Sequence, residues 1–239
     1  MLPRAMVKEL ADLPIENLDE FNSSVQYFKK TNKLFFNYWL IYFNLRPFLN
    51  KETINKIVDF GTGIGDLPVY LAEKLEQKKI NYFITGIDTN AQVISLAKNE
   101  VKNYRNIKVV CCNLNDLVER FDIAIASQVF HHLSPEEAVD FLKTAYAKVD
   151  KVLIISDLIR SKLVYWLVKG FVFLTTTNKI NRYDGAISVL RCYNDGEIKQ
   201  LLHQADIKNF KIRNIFFRKF IIIPKHDYII FFLHGLYHY

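Results

Sequence analysis

The sequence predicts an α/β fold: a mostly parallel, seven-stranded sheet flanked by helices, with an N-terminal helical cap and an inserted lid. Two observations predict the sheet. Short apolar stretches alternate with helical stretches between residues 51 and 160, and a glycine-rich turn joins the first strand of this series to its first helix. With 239 residues, the chain is long enough for one such domain with additions and too short for two.

The helical cap is predicted over residues 1–50. Its stretch from residue 18 to residue 48 contains no glycine, and its one proline, Pro47, stands near the end. One or two helices are therefore expected before the sheet begins. Aromatic residues are frequent here, and most are expected to pack in the core, while a few would roof an apolar substrate pocket.

The core domain is predicted over residues 51–225. Strands are predicted at residues 56–60, 82–88, 107–112, 121–127 and 151–157, with helices at 67–77, 91–103 and 135–148, and then a helix at 195–205 and two antiparallel strands at 210–217 and 219–223. Short apolar strands joined by helices are typical of a parallel sheet covered on both faces. Ligands of such sheets bind beyond the carboxyl ends of the strands.

The first strand ends in an acid and three alternating glycines, Asp59, Gly61, Gly63 and Gly65. Glycine lets the backbone turn sharply and lets a ligand approach its N–H groups. Asp88 ends the second strand, about two dozen residues further on, where nucleotide-binding α/β folds place an acid that accepts hydrogen bonds from a ribose diol. The two features together predict a nucleoside-containing ligand. A hydride-transfer cofactor, or a purely structural glycine turn, stays open at this point.

Four segments follow one another at the strand ends: Val-Asp-Phe-Gly-Thr-Gly-Ile-Gly-Asp (58–66), Thr-Gly-Ile-Asp (85–88), Cys-Asn-Leu-Asn-Asp-Leu (112–117) and Phe-Asp-Ile-Ala-Ile-Ala-Ser-Gln-Val-Phe-His-His-Leu (121–133). This ordered series resembles the class I S-adenosylmethionine-dependent methyltransferases. The resemblance covers about residues 55–160 and implies a Rossmann-like fold with S-adenosylmethionine as cofactor.

By this resemblance, the glycines would line the methionine part of the cofactor, Asp88 would hold the ribose hydroxyls, and the segment around Asn113 would contact adenine. The cofactor-binding residues expected are Asp59, Gly61, Gly63, Gly65, Asp88, Asn113, Leu114 and Ser127. The family usually has Asp at the position of Asn113. An asparagine still offers an acceptor to the adenine amino group, so its role is expected to survive.

His131 is the predicted catalytic residue. It follows the fourth strand together with His132, and imidazole titrates near neutral pH, so it can take a proton from a phenol or hydroxyl. By the resemblance, His131 aligns with the general base of many phenol O-methyltransferases. The alternative is structural, because a His-His-Leu turn also occurs in members of this superfamily that do not use it as a base.

Two later segments, Ile-Ser-Asp-Leu-Ile-Arg-Ser (155–161) and Arg-Tyr-Asp-Gly-Ala-Ile-Ser-Val-Leu-Arg (182–191), resemble a bacterial subgroup acting on small phenolic, quinone-like or polyketide-derived substrates. Asp157 and Arg191 are therefore predicted to contact the substrate, with structural ion pairing as the alternative.

The lid is predicted at about residues 161–195, and its apolar stretch 163–174 contains Tyr165 and Trp166 as further predicted substrate contacts. That stretch is too short to span a bilayer. Shallow membrane contact, helped by nearby lysines, is the alternative to a lid over the acceptor.

The expected function is S-adenosylmethionine-dependent O-methylation of a small aromatic or polyketide-like acceptor. The alternatives are C-methylation of a quinone or lipid-like acceptor, RNA or protein methylation, and a non-catalytic cofactor-binding subunit. Lys and Arg outnumber Asp and Glu by 32 to 25, but they form no long basic block. Ser-Gln-Val-Phe (127–130) stands where many amino-group methyltransferases have Asn/Asp-Pro-Pro-aromatic, which disfavours a nucleic-acid or protein acceptor.

The three cysteines fit neither a disulfide framework nor a metal-ligand spacing, so no metal site and a cytoplasmic setting are expected. The sequence contains no signal-peptide pattern and no apolar run of about 20 residues. The aromatic tail 226–239 would complete the lid, form an oligomer contact or touch a membrane. The sequence does not choose among these roles, and it leaves the oligomeric state open.

Overall fold

The computed structural model describes residues 2–14 and 17–225, so the predicted tail 226–239 lies outside the described residues. The helices are α1 (Leu18–Leu34), α2 (Asn37–Leu45), α3 (Asp66–Gln77), α4 (Ala91–Val101), α5 (Pro135–Ala147), α6 (Lys162–Thr175), α7 (Lys179–Arg191) and α8 (Asp195–Gln204). The strands are β1 (Asn55–Phe60), β2 (Tyr82–Asp88), β3 (Ile107–Cys111), β4 (Phe121–Ser127), β5 (Val149–Leu158), β6 (Lys211–Ile215) and β7 (Arg218–Pro224). Every strand and helix predicted for the core domain is present, with its ends moved by two residues or fewer.

The seven strands form one sheet in the order β3-β2-β1-β4-β5-β7-β6. Strands β1 to β5 run parallel, and β7 pairs antiparallel with both β5 and β6. This arrangement confirms the predicted fold. The central strand β1 is buried apart from Lys56, as expected for a strand covered on both faces. Phe60, its last residue, pairs with Ile87 on one side and Ala126 on the other, so three strands end level at one edge.

Each face of the sheet carries its own hydrophobic core. Helices α2, α3 and α4 cover one face, where Leu71 and Leu75 are fully buried, and α5 and α8 cover the other, where Leu142 and Leu202 are fully buried. Burial of one such side chain contributes about 1.5–3 kcal/mol. The helices thereby leave the carboxyl edge of the sheet open for a ligand.

The first two helices turn back on each other at Phe36, whose φ of 56° is left-handed. Helix α1 then packs along α7: the Ser24 hydroxyl donates to Asn181 Oδ1 at 2.6 Å with both side chains buried, and Asn178 Nδ2 donates to the Glu20 carbonyl at 2.7 Å. The predicted helical cap therefore rests on the segment predicted as the lid.

That lid segment consists of the antiparallel pair α6 and α7. Gly185 allows the two helices to approach closely, because a Cβ there would lie 3.0 Å from Val172 Cγ1. The outer side of α6 is apolar and open to solvent, with Trp166 63% and Leu174 82% exposed. Within the described ranges, none of the helices has the length and apolar character needed to cross a membrane.

Candidate active site

Three adjoining cavities lie at the carboxyl edge of the sheet. The outer cavity, of about 570 Å³, is lined by Asp88, Asn113 and Leu114 among others. The inner cavity, of about 160 Å³, lies against the end of β1, and the apolar cavity, of about 260 Å³, lies between α1 and α6. Gln128 lines all three, so its side chain marks the point where they meet.

Asp88 is one of the residues that line the outer cavity. Its Oδ2 accepts from the Gly63 N–H at 3.1 Å and its Oδ1 from the Asn90 N–H at 2.9 Å, so the carboxylate also fixes the glycine loop. Asn113 and Leu114 line the same cavity from the end of β3. Asn113 Oδ1 already accepts from the Asn115 N–H at 3.0 Å. The structure thus brings together the acid predicted for the ribose and the residues predicted for adenine.

The glycine loop separates the outer cavity from the inner one. Gly61 and Gly63 have left-handed φ values of 67° and 57°, and both line the inner cavity. Gly65 is also left-handed, with φ 79°, but lines neither cavity; it faces helix α4, where a Cβ would lie 3.0 Å from Val101. In the structure, Gly65 permits the close packing of α4.

Replacing Gly61 with alanine is expected to destabilise the protein more than the same change at Gly63. Both changes place a Cβ on a left-handed residue, which costs about 1–2 kcal/mol. At Gly61 the Cβ would also lie 2.3 Å from Val129 Cγ2, whereas at Gly63 it meets nothing within 4 Å. The clash adds about 1–3 kcal/mol. Urea unfolding of the two variants measures the difference, and equal losses would contradict the packing described here.

The inner cavity is acidic. Asp59 is 2% exposed, and its Oδ1 has no hydrogen-bond partner among residues 2–14 and 17–225. Burial, with a smaller contribution from the charges of Asp66 and Asp88, raises the pKa of Asp59 to about 8. Such a group is stabilised when a cationic ligand enters, because burying an unpaired acid is costly. Asp59 is thus suited to hold a positively charged group.

Two residues without a sequence signal connect the cavities. Gln128 follows β4 with a left-handed φ of 57°, and its Nε2 donates to Asn32 Oδ1 at 2.7 Å. Asn32, on α1, lines both the inner and the apolar cavity. Ser127, predicted at the ligand site, does line the inner cavity and accepts from Asn37 Nδ2 at 3.2 Å.

Aromatic and aliphatic side chains wall the apolar cavity. They come from α1, α6 and the β6–β7 turn and include Tyr27, Phe28, Phe35, Val164, Leu167, Val168, Phe171, Val172 and Phe217. The α6 members recur every three or four residues and so share one face of the helix. Tyr165 and Trp166 lie off this face and do not line the cavity, and Lys169 Nζ lies 5.1 Å from the Trp166 ring centre. The structure thus places Leu167 and Val168, and not Tyr165 or Trp166, in the wall of this cavity.

Among the described residues, Arg218 is the one cation in the wall of the apolar cavity. It is 4% exposed, and its Nη2 donates to Asn32 Oδ1 at 3.1 Å. Its Nε and Nη1 have no hydrogen-bond partner within the part of the chain that the structure describes. Burial lowers its pKa to about 10, which still leaves it charged at neutral pH. Sequence reasoning missed this residue because the last strand was predicted to begin one position later.

His131 lies outside all three cavities, at 2% exposure. Its Nδ1 lies 2.7 Å from Asp157 Oδ1 and its Nε2 lies 3.2 Å from Glu9 Oε1. Burial lowers the pKa of His131, but the two carboxylates outweigh burial and raise it to about 10. A histidine that holds its proton at neutral pH and has an acid at each ring nitrogen is poorly placed to deprotonate an acceptor. This geometry disfavours the predicted role as general base.

Asp157 and Arg191, predicted to contact substrate, are both buried in this ion-pair cluster and line none of the cavities. Asp157 Oδ2 accepts from the His131 N–H at 3.0 Å. Arg191 donates to the His132 carbonyl at 2.9 Å and to Asp12 Oδ2 at 3.0 Å. Their polar atoms tie the N-terminal segment and the end of β5 to the turn after β4, which is the ion-pairing alternative to substrate contact.

Part of the chain matches a known family model. Residues 57–151 match the family model described as a methyltransferase domain. The search of curated proteins gives no match.

Among solved structures, the plantazolicin methyltransferase BamL, in complex with a triazolic desmethylPZN analog and SAH, is 21% identical over 82% of this chain and 73% of its own, with a TM-score of 0.61. Magnesium protoporphyrin IX methyltransferase (ChlM) from Synechocystis PCC 6803, with bound SAH, is 17% identical over 89% of this chain and 90% of its own, with a TM-score of 0.53. A putative O-methyltransferase from Nostoc punctiforme PCC 73102 is 15% identical over 84% of this chain and 60% of its own, with a TM-score of 0.60. At these identities the likeness concerns the fold.

Proposed function

We propose that the chain is a class I S-adenosylmethionine-dependent methyltransferase that methylates an oxygen atom of a small aromatic or polyketide-like acceptor bound in the apolar cavity. The observation that carries the proposal is the position of this cavity. It shares the lining residue Gln128 with the inner and outer cavities, and it is walled by aromatic and aliphatic side chains. When bound, S-adenosylmethionine supplies a methyl group activated by a positively charged sulfur.

The residues around the outer and inner cavities fit this cofactor. Asp88 would accept hydrogen bonds from the ribose hydroxyls, and Asn113 and Leu114 would contact the adenine end. Gly61 lines both cavities, where its backbone would contact the methionine part. Asp59, with its unpartnered buried oxygen, would attract the positively charged amino group of the methionine part.

The apolar cavity supports a small acceptor over a nucleic acid or a protein. Rings and aliphatic chains gain from burial between Phe28 and Phe171, which exclude water from the reacting atoms. The polar groups in its wall include Asn32, Gln128 and Arg218, which would orient the acceptor toward the junction. The magnesium protoporphyrin and plantazolicin methyltransferases with this fold also act on small molecules, as their names state.

The test is methyl transfer from deuterium-labelled S-adenosylmethionine to a panel of alkylphenols, hydroxybenzoates and hydroxyquinones, read by mass spectrometry of the product. Labelling on oxygen is expected, and fragmentation separates it from labelling on carbon. Val168→Phe, which fills the cavity, is expected to abolish transfer while preserving binding of S-adenosylhomocysteine. Trp166→Ala, on the exposed side of the same helix, is the matched control. Labelling of RNA or protein alone, or full activity of Val168→Phe, would contradict the proposal.

A further inference from the structure

The apolar cavity contains one feature that an apolar ligand would not need. Arg218 reaches into it with a guanidinium group that is almost wholly buried and whose Nε and Nη1 lack partners among the described residues. Burying a charge without a partner is among the most costly arrangements in a protein. Such a group persists where a ligand of opposite charge supplies the missing partner.

The acids nearest in space do not neutralise Arg218. Asp157 lies close enough to influence it, but the Asp157 oxygens accept from the backbone N–H groups of His131 and Leu158 and contact the His131 ring. Within the described ranges no carboxylate lies at ion-pair distance from Arg218. Its one hydrogen bond goes to the neutral side chain of Asn32.

The hydrogen bond to Asn32 also fixes the position of the guanidinium group of Arg218. Asn32 Oδ1 accepts at once from Arg218 Nη2 and from Gln128 Nε2, at 3.1 Å and 2.7 Å. Gln128 lines all three cavities. A ligand atom bound to the free nitrogens of Arg218 is therefore held on the side of the apolar cavity that faces the other two.

We propose that Arg218 binds an anionic oxygen of the acceptor, a carboxylate, phenolate or enolate, and so presents the nucleophile already deprotonated. The inference rests on the proposed function, because it takes the apolar cavity to be the acceptor site. A guanidinium N–H donor is positively charged and matches such an oxygen in charge, and a charge-assisted hydrogen bond of this kind is strong in an apolar setting.

The described wall of the cavity agrees with this assignment, since it contains no His, Asp or Glu side chain to act as a base. An anionic acceptor needs no base. A lone pair on its oxygen forms the bond to the methyl carbon, the carbon–sulfur bond breaks with its electron pair left on sulfur, and no proton moves. The methylated oxygen is neutral and loses its attraction to Arg218, which favours product release.

The test measures binding in the absence of cofactor, by calorimetry with 4-butylbenzoate and its neutral counterpart 4-butylbenzamide. The wild-type protein is expected to prefer the benzoate. Arg218→Met is expected to weaken benzoate binding by about 30-fold or more, the scale of truncating one partner of a buried charge pair, and to leave benzamide binding nearly unchanged. Arg213→Met is the matched control, because it removes an arginine from the neighbouring strand that pairs with Asn44 and lines none of the cavities.

A second measurement follows the ionisation of the bound ligand. The absorbance of 4-nitrophenol, which titrates near neutral pH, is expected to report a lowered phenol pKa on binding to the wild-type protein and a raised one on binding to Arg218→Met. If the methionine variant does not fold, the Arg218→Lys variant keeps the positive charge but loses the planar guanidinium group. It is then expected to retain a lowered phenol pKa with weakened benzoate binding.

Equal affinity of the wild-type protein for benzoate and benzamide, or benzoate binding unaffected in Arg218→Met, would overturn the inference. Binding of S-adenosylhomocysteine, measured on the same samples, separates this result from failure of the proposed function. If the protein binds S-adenosylhomocysteine but shows no preference for the anion, only the role of Arg218 is refuted. Anion preference without any cofactor binding refutes methyl transfer and leaves the anion site standing.

Discussion

Replacing Asp88 with alanine is expected to weaken binding of S-adenosylhomocysteine by about 100-fold or more. The carboxylate lines the outer cavity, where it can accept from both ribose hydroxyls, and each hydrogen bond to a charged group contributes about 1.5–3 kcal/mol. The change also frees the Gly63 N–H that Asp88 Oδ2 holds in place. Isothermal calorimetry measures the loss directly.

Two comparison variants make this result specific. Asp88→Asn keeps one acceptor without the charge and is expected to fall between the alanine variant and the wild type. Asp150→Ala also removes one negative charge, but from a half-exposed acid paired with Arg120 and away from the cavities. Near-normal affinity of Asp88→Ala would remove the ribose-binding role.

Replacing His131 with glutamine is expected to lower the free energy of unfolding by about 3–5 kcal/mol, because it leaves two buried acids, Glu9 and Asp157, without their cationic partner. Urea unfolding measures this change, with His203→Gln on the exposed side of α8 as control. A general base behaves differently: its loss would reduce turnover by orders of magnitude and leave stability unchanged. That second pattern would restore the base role for His131.

The same cluster predicts a pH dependence of stability. The pKa of His131 is raised from 6.5 to about 10 in the folded protein, so its contribution is complete below pH 6.5 and is lost as the pH rises through about 10. The pKa values of Glu9 and Asp157 are lowered, so their contribution is lost only in acid. The melting temperature of the wild type should therefore fall between pH 6.5 and pH 10. His131→Gln should give a flatter curve, and parallel curves for the two proteins would contradict the ion-pair assignment.

The cofactor side of the site could be predicted from the sequence because it is local. Asp88, Asn113 and the glycines each follow directly after a strand, and parallel strands bring their carboxyl ends to one edge whatever the rest of the chain does. The packing of Gly65 against α4 could not be predicted, because a left-handed glycine has the same sequence signature whether it faces a ligand or a neighbouring helix.

The acceptor side could not be predicted in the same way. Helix α6 is apolar nearly all round, so its periodicity does not reveal which face lines the cavity. The sequence therefore predicts a substrate contact at Tyr165, whereas Val164 and Val168 line the cavity. Two partners of Arg191, Val7 and Asp12, lie in the first dozen residues, where no repeating pattern points to them. The position of Arg218 in the wall of the apolar cavity is a property of the folded chain and has no sequence signal.

Most of the wall of the apolar cavity comes from two distant parts of the sequence, residues 27–35 and residues 158–218, and this separation affects how the protein acquires its selectivity during synthesis. The segment 57–151 contains most of the cofactor-facing strand ends and is translated well before Arg218. Helix α1 is translated before this segment, but its contacts with α7 and β7 form only after those elements have been made. The acceptor pocket is thus completed only once β7 has been made, by contacts that span most of the chain.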